Sequence, residues 1–328
     1  MTSRHKTAII LFAMGGPDNI HAVRPFLFNL FNDPAIIRLP QPLRTILAYL
    51  IAWKRRKIAQ SIYEQLGGCS PLLKNTLAQA AALQKTIVHN HKQINQDTRV
   101  FVAMRYWHPF SDETARAVQE FDPDSIVLLP LYPQWSSTTS ESSFNAWQAS
   151  CDSINLFKPT RSIGSYPTAL FYINCLSVLT QKCWDEAKHY GTPRLLFSAH
   201  GLPKSIINNG DPYRDQCEQT SAALAASLNC HKDNWVTCYQ SRVGPKKWIG
   251  PSIAHEIERA ARDKVPVIVV PIAFVSEHCE TIIELDIEYR NLAISKGVPF
   301  YCRVQTVGTN NIFIEGLATL INITSEYP

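Results

Sequence analysis

Apolar residues along this chain fall in short unbroken runs, and the runs are separated by helix-spaced stretches. The runs are TAIILFAM (7–14), TRVFVAMRY (98–106), SIVLLPLY (125–132), RLLFSAH (194–200), NWVTCYQS (234–241), PVIVVPIAFV (266–275) and PFYCRVQTV (299–307). Most are continuous in Val, Ile and Leu, the pattern of strands covered on both faces. Between them, 74–92, 111–120, 167–188, 213–228, 251–263 and 280–296 read as helices. This alternation predicts an α/β fold with parallel sheets and right-handed crossovers. A Pro- and Gly-containing passage at 159–167 predicts two doubly wound domains, 1–160 and 161–328. The final helix, 310–322, could lie on either.

Residues 25–58 break this rhythm. They are rich in aliphatic and aromatic side chains and run into Lys54, Arg55, Arg56 and Lys57. Two readings fit: a helical insertion that buries its apolar face in its own domain, or a lip that meets a flat apolar ligand or a membrane surface.

Composition adds limits rather than a function. The net charge is +5 and no block of like charge is long enough to suggest nucleic acid. No run reaches the roughly 18 apolar residues of a membrane span. The start, MTSRHKTAIILFAM, lacks a secretory cleavage pattern and reads as the first strand. Nine cysteines, an odd number without CxxC pairs, fit a reducing, cytoplasmic compartment.

The markers of the commoner α/β enzymes are missing. There is no GxGxxG, no Walker lysine–serine pair, no GxSxG and no HExxH. What remains stands at strand ends, where parallel sheets place their ligands. His200 closes the fourth run, in SAHGLP; it is either a hydrogen-bonded structural residue or a proton acceptor near neutral pH. After the sixth run, SEHCET opens a helix carrying Glu280, Glu284 and Glu288 at i, i+4 and i+8. Like charges at that spacing repel by about 0.2–0.5 kcal/mol per pair. The stripe is either a solvated face or a set of hard oxygen ligands for a loosely held divalent metal. Trp248 in QSRVGPKKWIGPS, with MRYWHP (104–109) and PLYPQWSSTT (130–139), places aromatics at several strand ends, as a flat ligand cleft would need.

Taken in order along the chain, MGGPD, GGCSP (67–71), MRYWHP, LYPQWSSTT, SAHGLP, SRVGPKKWIGP and PIAFVSEHCETIIELDIEY resemble the ferrochelatase family. The resemblance implies two Rossmann-like domains with a porphyrin in the cleft between them. The implied reaction inserts Fe(II) into protoporphyrin IX or coproporphyrin, forming haem and releasing two protons, with no ATP or organic cofactor. It implies His200 as the acceptor of pyrrole protons and Glu280 as its helper. Glu284 and Glu288 would continue an acidic metal path, so that His200, Glu280, Glu284 and Glu288 touch the metal. It also implies Met14, Arg105, Tyr106, Tyr132, Trp248 and His278 as porphyrin contacts.

The chain departs from the family pattern in places. Ser137 stands where cluster-bearing relatives have Cys, and no cysteine follows Cys302, so no iron–sulfur cluster is expected. Glu141 replaces a common Gly, Glu277 stands where Asp is usual, and TVGTNN (306–311) replaces an arginine-leucine-asparagine neighbourhood. Two rivals are a tetrapyrrole carrier without turnover, which needs no carboxylate stripe, and a chelatase for another divalent metal.

Overall fold

A computed structural model of the chain describes residues 5–90, 96–242, 244 and 246–323. The first part of the chain forms β1 (His5–Ala13), α1 (Val23–Phe31), α2 (Leu43–Glu64), α3 (Leu72–Asn90), β2 (Gln96–Met104), α4 (Ser111–Phe121), β3 (Ser125–Pro130), α5 (Ser142–Ser153) and β4 (Thr160–Ser162). The second forms α6 (Leu170–Ala187), β5 (Arg194–His200), α7 (Lys204–Asn208), α8 (Tyr213–Ser227), β6 (Trp235–Gln240), α9 (Ile253–Asp263), β7 (Val267–Pro271), α10 (Tyr289–Lys296), β8 (Tyr301–Arg303) and α11 (Asn311–Ile323). π-helices at Ser137–Glu141 and Glu280–Glu288 lead into α5 and α10.

The strands make two four-stranded sheets, ordered β2-β1-β3-β4 and β6-β5-β7-β8, and every pairing is parallel. Both faces are covered, which is why the strand sequences read as unbroken apolar runs. In the first sheet Ala8, Ile10 and Phe12 of β1 are buried against Trp147 of α5 and Val118 of α4. In the second, Leu196, Val267 and Val269 meet Ile253, Ile257 and Ala260 of α9. Each sheet reverses its winding beside its first strand, between β1 and β3 and between β5 and β7. Open α/β sheets bind ligands at the carboxyl ends of the strands flanking that reversal.

The chain gathers into two compact units. One comprises Met1–Tyr132, Ser136–Ser165 and Ile314–Pro328, the other Pro133–Trp135 and Tyr166–Phe313. Within the first, Arg161 of β4 donates to the Ile321 carbonyl of α11 at 2.8 Å.

Four local features differ from the reading of the chain. β4 is three polar residues, TRS, paired only through its main chain at a sheet edge, so no apolar run announces it. α5, SSFNAWQASCDS, has too few apolar positions to read as a helix, yet it buries Trp147 and Cys151. The stretch 280–296 is a π-helix for nine residues before it becomes α10. Cys183 of α6 and Cys302 of β8, 119 residues apart, form a disulfide where free thiols were expected, because α6 packs on β8. Residues 91 and 92 of the expected helix 74–92, and Val243 and Pro245 of the SRVGPKKW motif, lie outside the described residues.

The segment 25–58 divides between its two readings. α1 buries Val23, Phe26 and Leu27 and belongs to its unit's core. α2 buries only Ala48, Ala52 and Tyr63, and leaves Leu43, Ile46, Tyr49, Leu50 and Trp53 each at least half exposed.

Close backbone approach fixes the loop after β5. Gly201 N–H donates to the Gln240 carbonyl at 2.9 Å, and a Cβ at this position would sit 2.7 Å from that same oxygen. Gly201→Ala should therefore push the end of β5 away from β6 and cost about 1–3 kcal/mol. Urea unfolding of the two proteins measures it, and equal midpoints would show that the strand end yields without cost.

Candidate active site

His200 is the last residue of β5 and pairs with Gln240 at the end of β6. Its neighbour β7 ends at Pro271, and the chain then turns through 272–279 into the π-helix. Both elements therefore deliver side chains to the reversal point of the second sheet. There His200 Nδ1 and Glu280 Oε2 lie 2.9 Å apart, and His278 Nε2 approaches the same oxygen at 3.8 Å. His278 is buried, and its Nδ1 donates to the Ser276 carbonyl at 3.2 Å.

Electrostatics give the pair a direction. Burial opposes charge on the ring, yet the Glu280 carboxylate, with Glu284 beyond it, holds the His200 pKa above its ordinary range. Burial likewise opposes charge on Glu280, yet His200 and His278 hold its carboxyl well below the usual carboxylate range. An ionised carboxylate only accepts hydrogen bonds, so Nδ1 of His200 carries the proton that faces it. Nε2 is then the free lone pair of the neutral ring.

Glu284 is held differently. Gln240 Nε2 donates to it at 3.0 Å, Ser241 N–H at 2.8 Å and Tyr289 O–H at 3.2 Å, and the Ser241 hydroxyl donates as well. Burial and repulsion from Glu280 raise its pKa despite these donors. Glu288 is exposed. The stripe read from the spacing thus resolves into three environments: Glu280 on the imidazoles, Glu284 on the end of β6, and Glu288 in solvent. His200, Glu280, Glu284 and Glu288 accordingly do not form one coordination sphere. Among the described residues no three His, Cys, Asp or Glu side chains gather closely enough to hold a metal ion.

The turn into the π-helix is clamped from β8. Arg303, 8% exposed, donates to Glu277 at 2.6 Å and to Asp286 at 2.8 Å. Glu277 also accepts from Thr306 N–H at 2.9 Å and from the Thr281 hydroxyl at 2.6 Å, and Arg290 donates to Asp286 at 2.6 Å. One guanidinium therefore ties residues on both sides of Glu280. Charge-assisted bonds of this kind are short and directional.

Trp248 lies along the loop after β5, its ring within 3.5 Å of where a Gly201 Cβ would stand. The remaining expected residues belong to the first unit. Met14 and Tyr132 follow β1 and β3 at that sheet's reversal point, and Arg105 and Tyr106 follow β2. Arg105 is not a free cation: it donates to buried Asp33 at 2.9 Å and to Ser142 at 2.7 Å. Tyr106 is buried, with its hydroxyl donating to Asp33 at 2.8 Å. The two anchor the MRYW turn. The MGGP glycines are also packing residues, since a Cβ at Gly16 would lie 2.5 Å from Ser70 Oγ in the GGCSP loop.

Reading the chain missed Asp33, Gln240, Ser241 and Arg303. Gln240 and Ser241 carried a signal, because they close a strand at the start of a motif already singled out. Asp33 and Arg303 carried none beyond being single charges in apolar surroundings.

The sign of each shift sets a pH window. Glu280's contribution to stability is present above the ordinary carboxylate pKa and is lost as pH falls through its lowered value. His200's is present below about 6.5 and is lost as pH rises through its raised value. The pair is thus fully effective between roughly pH 5 and 6.5. NMR titration of His200 should give a pKa above the ordinary value, and Glu280→Gln should bring it down, since burial is then opposed only by the more distant Glu284. An unchanged pKa in that variant would show that the two groups do not interact.

The ferrochelatase family model matches residues 6–324. A ferrochelatase from Wolbachia sp. subsp. Drosophila simulans is 47% identical over 315 residues, covering 96% of this chain and 98% of that protein. One from Caulobacter vibrioides is 49% identical over 316 residues, covering 96% and 89%. Among solved structures, the sirohydrochlorin chelatase SirB from Bacillus subtilis subspecies spizizenii, in complex with cobalt, superposes with a TM-score of 0.55 at 11% identity, over 98% of this chain and 97% of that one. DR2241 from Deinococcus radiodurans gives 0.54 at 12% identity, over 97% and 55%. At such identities the two structures speak for the fold alone. With a match along nearly its whole length and relatives near half identical, this chain belongs to the ferrochelatase family.

Proposed function

We propose that this chain inserts Fe(II) into a free-base porphyrin, forming haem and releasing the two pyrrole N–H protons, and that His200 and Glu280 carry the chemical step. A single observation carries the reading: the Glu280 carboxylate engages Nδ1 of His200, which leaves Nε2 as a base at the end of a rigid strand. A pyrrole proton passes to Nε2, and the adjacent carboxylate stabilises the imidazolium that results. Glu284, whose pKa is raised, is the better next acceptor for that proton. The metal replaces two protons without change of oxidation state, so the reaction calls for neither a redox cofactor nor an iron–sulfur cluster. Ser137 and the cysteine-free stretch after Cys302 agree with that. Fe(II) is a substrate here: exposed Glu288 meets it first, Glu284 next, and Glu280 hands it to the ring. Whether protoporphyrin or coproporphyrin is the natural substrate is decided by direct competition between them.

Initial rates and porphyrin fluorescence quenching, measured anaerobically, test these roles. His200→Ala should lose about 10²–10⁴ in kcat with porphyrin binding retained, the usual scale for a removed general base. In the native protein kcat/KM should rise with pH through the raised His200 pKa, because only the neutral ring accepts a proton. Glu280→Gln should lower kcat, whereas Glu284→Gln and Glu288→Gln should raise the KM for Fe(II) more than that for porphyrin. Near-normal turnover without His200 would overturn its role. Binding of porphyrin without turnover in the native protein would favour a carrier, and faster insertion of Co(II) than Fe(II) would favour a different-metal chelatase.

The same reading places the protein in the cytoplasm, peripheral to an anionic membrane. Seven of the nine cysteines are free thiols, as a reducing compartment allows, whereas the Cys183–Cys302 disulfide does not speak for one. Among the described residues no helix is long and apolar enough to cross a membrane. α2 instead offers Leu43, Ile46, Leu50 and Trp53 on one face and carries Lys54–Lys57 at its middle, directly after Trp53. That combination suits a helix lying in the headgroup layer. Cosedimentation with phosphatidylserine vesicles should weaken when those four basic residues are changed to Gln, with the largest difference at low salt. Equal binding of both proteins, or none, would assign α2 to another surface.

A further inference from the structure

The second unit holds a cavity of about 680 Å³ that the chemistry above does not use. Its walls include Lys204, Ile207, Arg214, Arg242, Trp248 and His255, together with the turn at Gly250–Ser252. Among the described residues no Asp or Glu lines it. Its volume lies within the roughly 300–1,000 Å³ of small-molecule sites.

The charges around this cavity are unequally balanced. Arg214 pairs with Glu218 at 2.9 Å, both half exposed, so its charge is partly matched. Arg242 donates to the Ile249 carbonyl at 2.6 Å, a neutral acceptor that leaves its charge unmatched. Lys204 enters none of the ion pairs that lysines make among the described residues. The backbone adds to the same sign, because Ser252 caps the N-terminus of the 11-residue helix α9 at the cavity wall. Trp248, Ile207 and Ile249 supply an apolar side. Two unmatched cations and a helix N-terminus beside an indole suit a ligand with an oxyanion on an apolar or planar body.

We infer that this cavity binds a small organic oxyanion, a carboxylate or a phosphate, with Lys204 and Arg242 holding the charged group beside Trp248. The oxyanion has two possible sources: a carboxylate arm of the porphyrin, which rests on the function proposed above, or a separate metabolite, which does not. Binding is read without Fe(II) or turnover, so an inactive enzyme would leave the result standing.

Calorimetry on the full chain with citrate, with inorganic phosphate, and with a dicarboxylic porphyrin against its dimethyl ester tests this. Lys204→Gln and Arg242→Gln should each weaken the responding ligand about tenfold, as loss of one charge-assisted hydrogen bond does. Lys204→Arg and Arg242→Lys should retain most of the affinity, which separates charge from loop geometry at Ile249. Citrate or phosphate binding that falls in the Gln variants identifies a separate metabolite. A preference for the diacid over the ester that disappears in those variants identifies the porphyrin arm. Should neither anion bind, and the diacid preference be absent or survive both substitutions, the cavity holds no oxyanion.

Discussion

A carboxylate four-fifths removed from water must find a cation or give up its charge, and Glu280 finds His200. That pairing sets the tautomer of the ring, directs Nε2 outward, and joins the end of β5 to the start of the π-helix. It also creates a tension. The charge that strengthens His200 as a base reduces the fraction of neutral ring available to act as one. Exposure of the imidazole, 38% of its side chain, keeps that exchange open to solvent or substrate.

The pair works only if the π-helix enters at the right height, and this is what Arg303 secures. Its two bonds reach Glu277 before Glu280 and Asp286 after it, so the helix is gripped on both sides of the reactive carboxylate. π-turns are rare and cluster at functional sites, because an α-helix of the same residues would be better bonded. The first unit uses a comparable device, with buried Asp33 collecting Arg105, Tyr106 and Ser142 into one polar knot at the ends of its strands. In both units a buried ion pair holds a loop in place; such pairs are better at specifying geometry than at adding stability.

Two surfaces are left with chemistry that packing does not consume. α2 turns alanines inward and large apolar side chains outward, the reverse of a core helix. The cavity beside Trp248 collects Lys204, Arg214 and Arg242, with no acid in its lining among the described residues. Neither arrangement lowers the energy of an isolated chain in water, and each becomes favourable only against a complementary partner.

The order of residues alone carried the α/β class, seven of the eight strands among the described residues, His200 at the end of β5, and Glu280 and Trp248 in the segments that follow β7 and β6. Apolar runs, strand length and local motifs are properties of neighbours in the chain, and they survive without knowledge of the fold. It did not determine β4, whose three polar residues are a strand only because β3 lies beside them. Nor did it show that one helix would open as a π-helix, that Cys183 would meet Cys302, or that Arg105 would be spent on Asp33. The acidic stripe marks the limit. Spacing placed three glutamates on one helix face, but their different environments come from His200, Gln240 and Ser241, which lie 40 or more residues away in sequence. Burial and charge act through space, so only the tertiary structure could decide which carboxylate is ionised, which is protonated more readily, and which simply faces water.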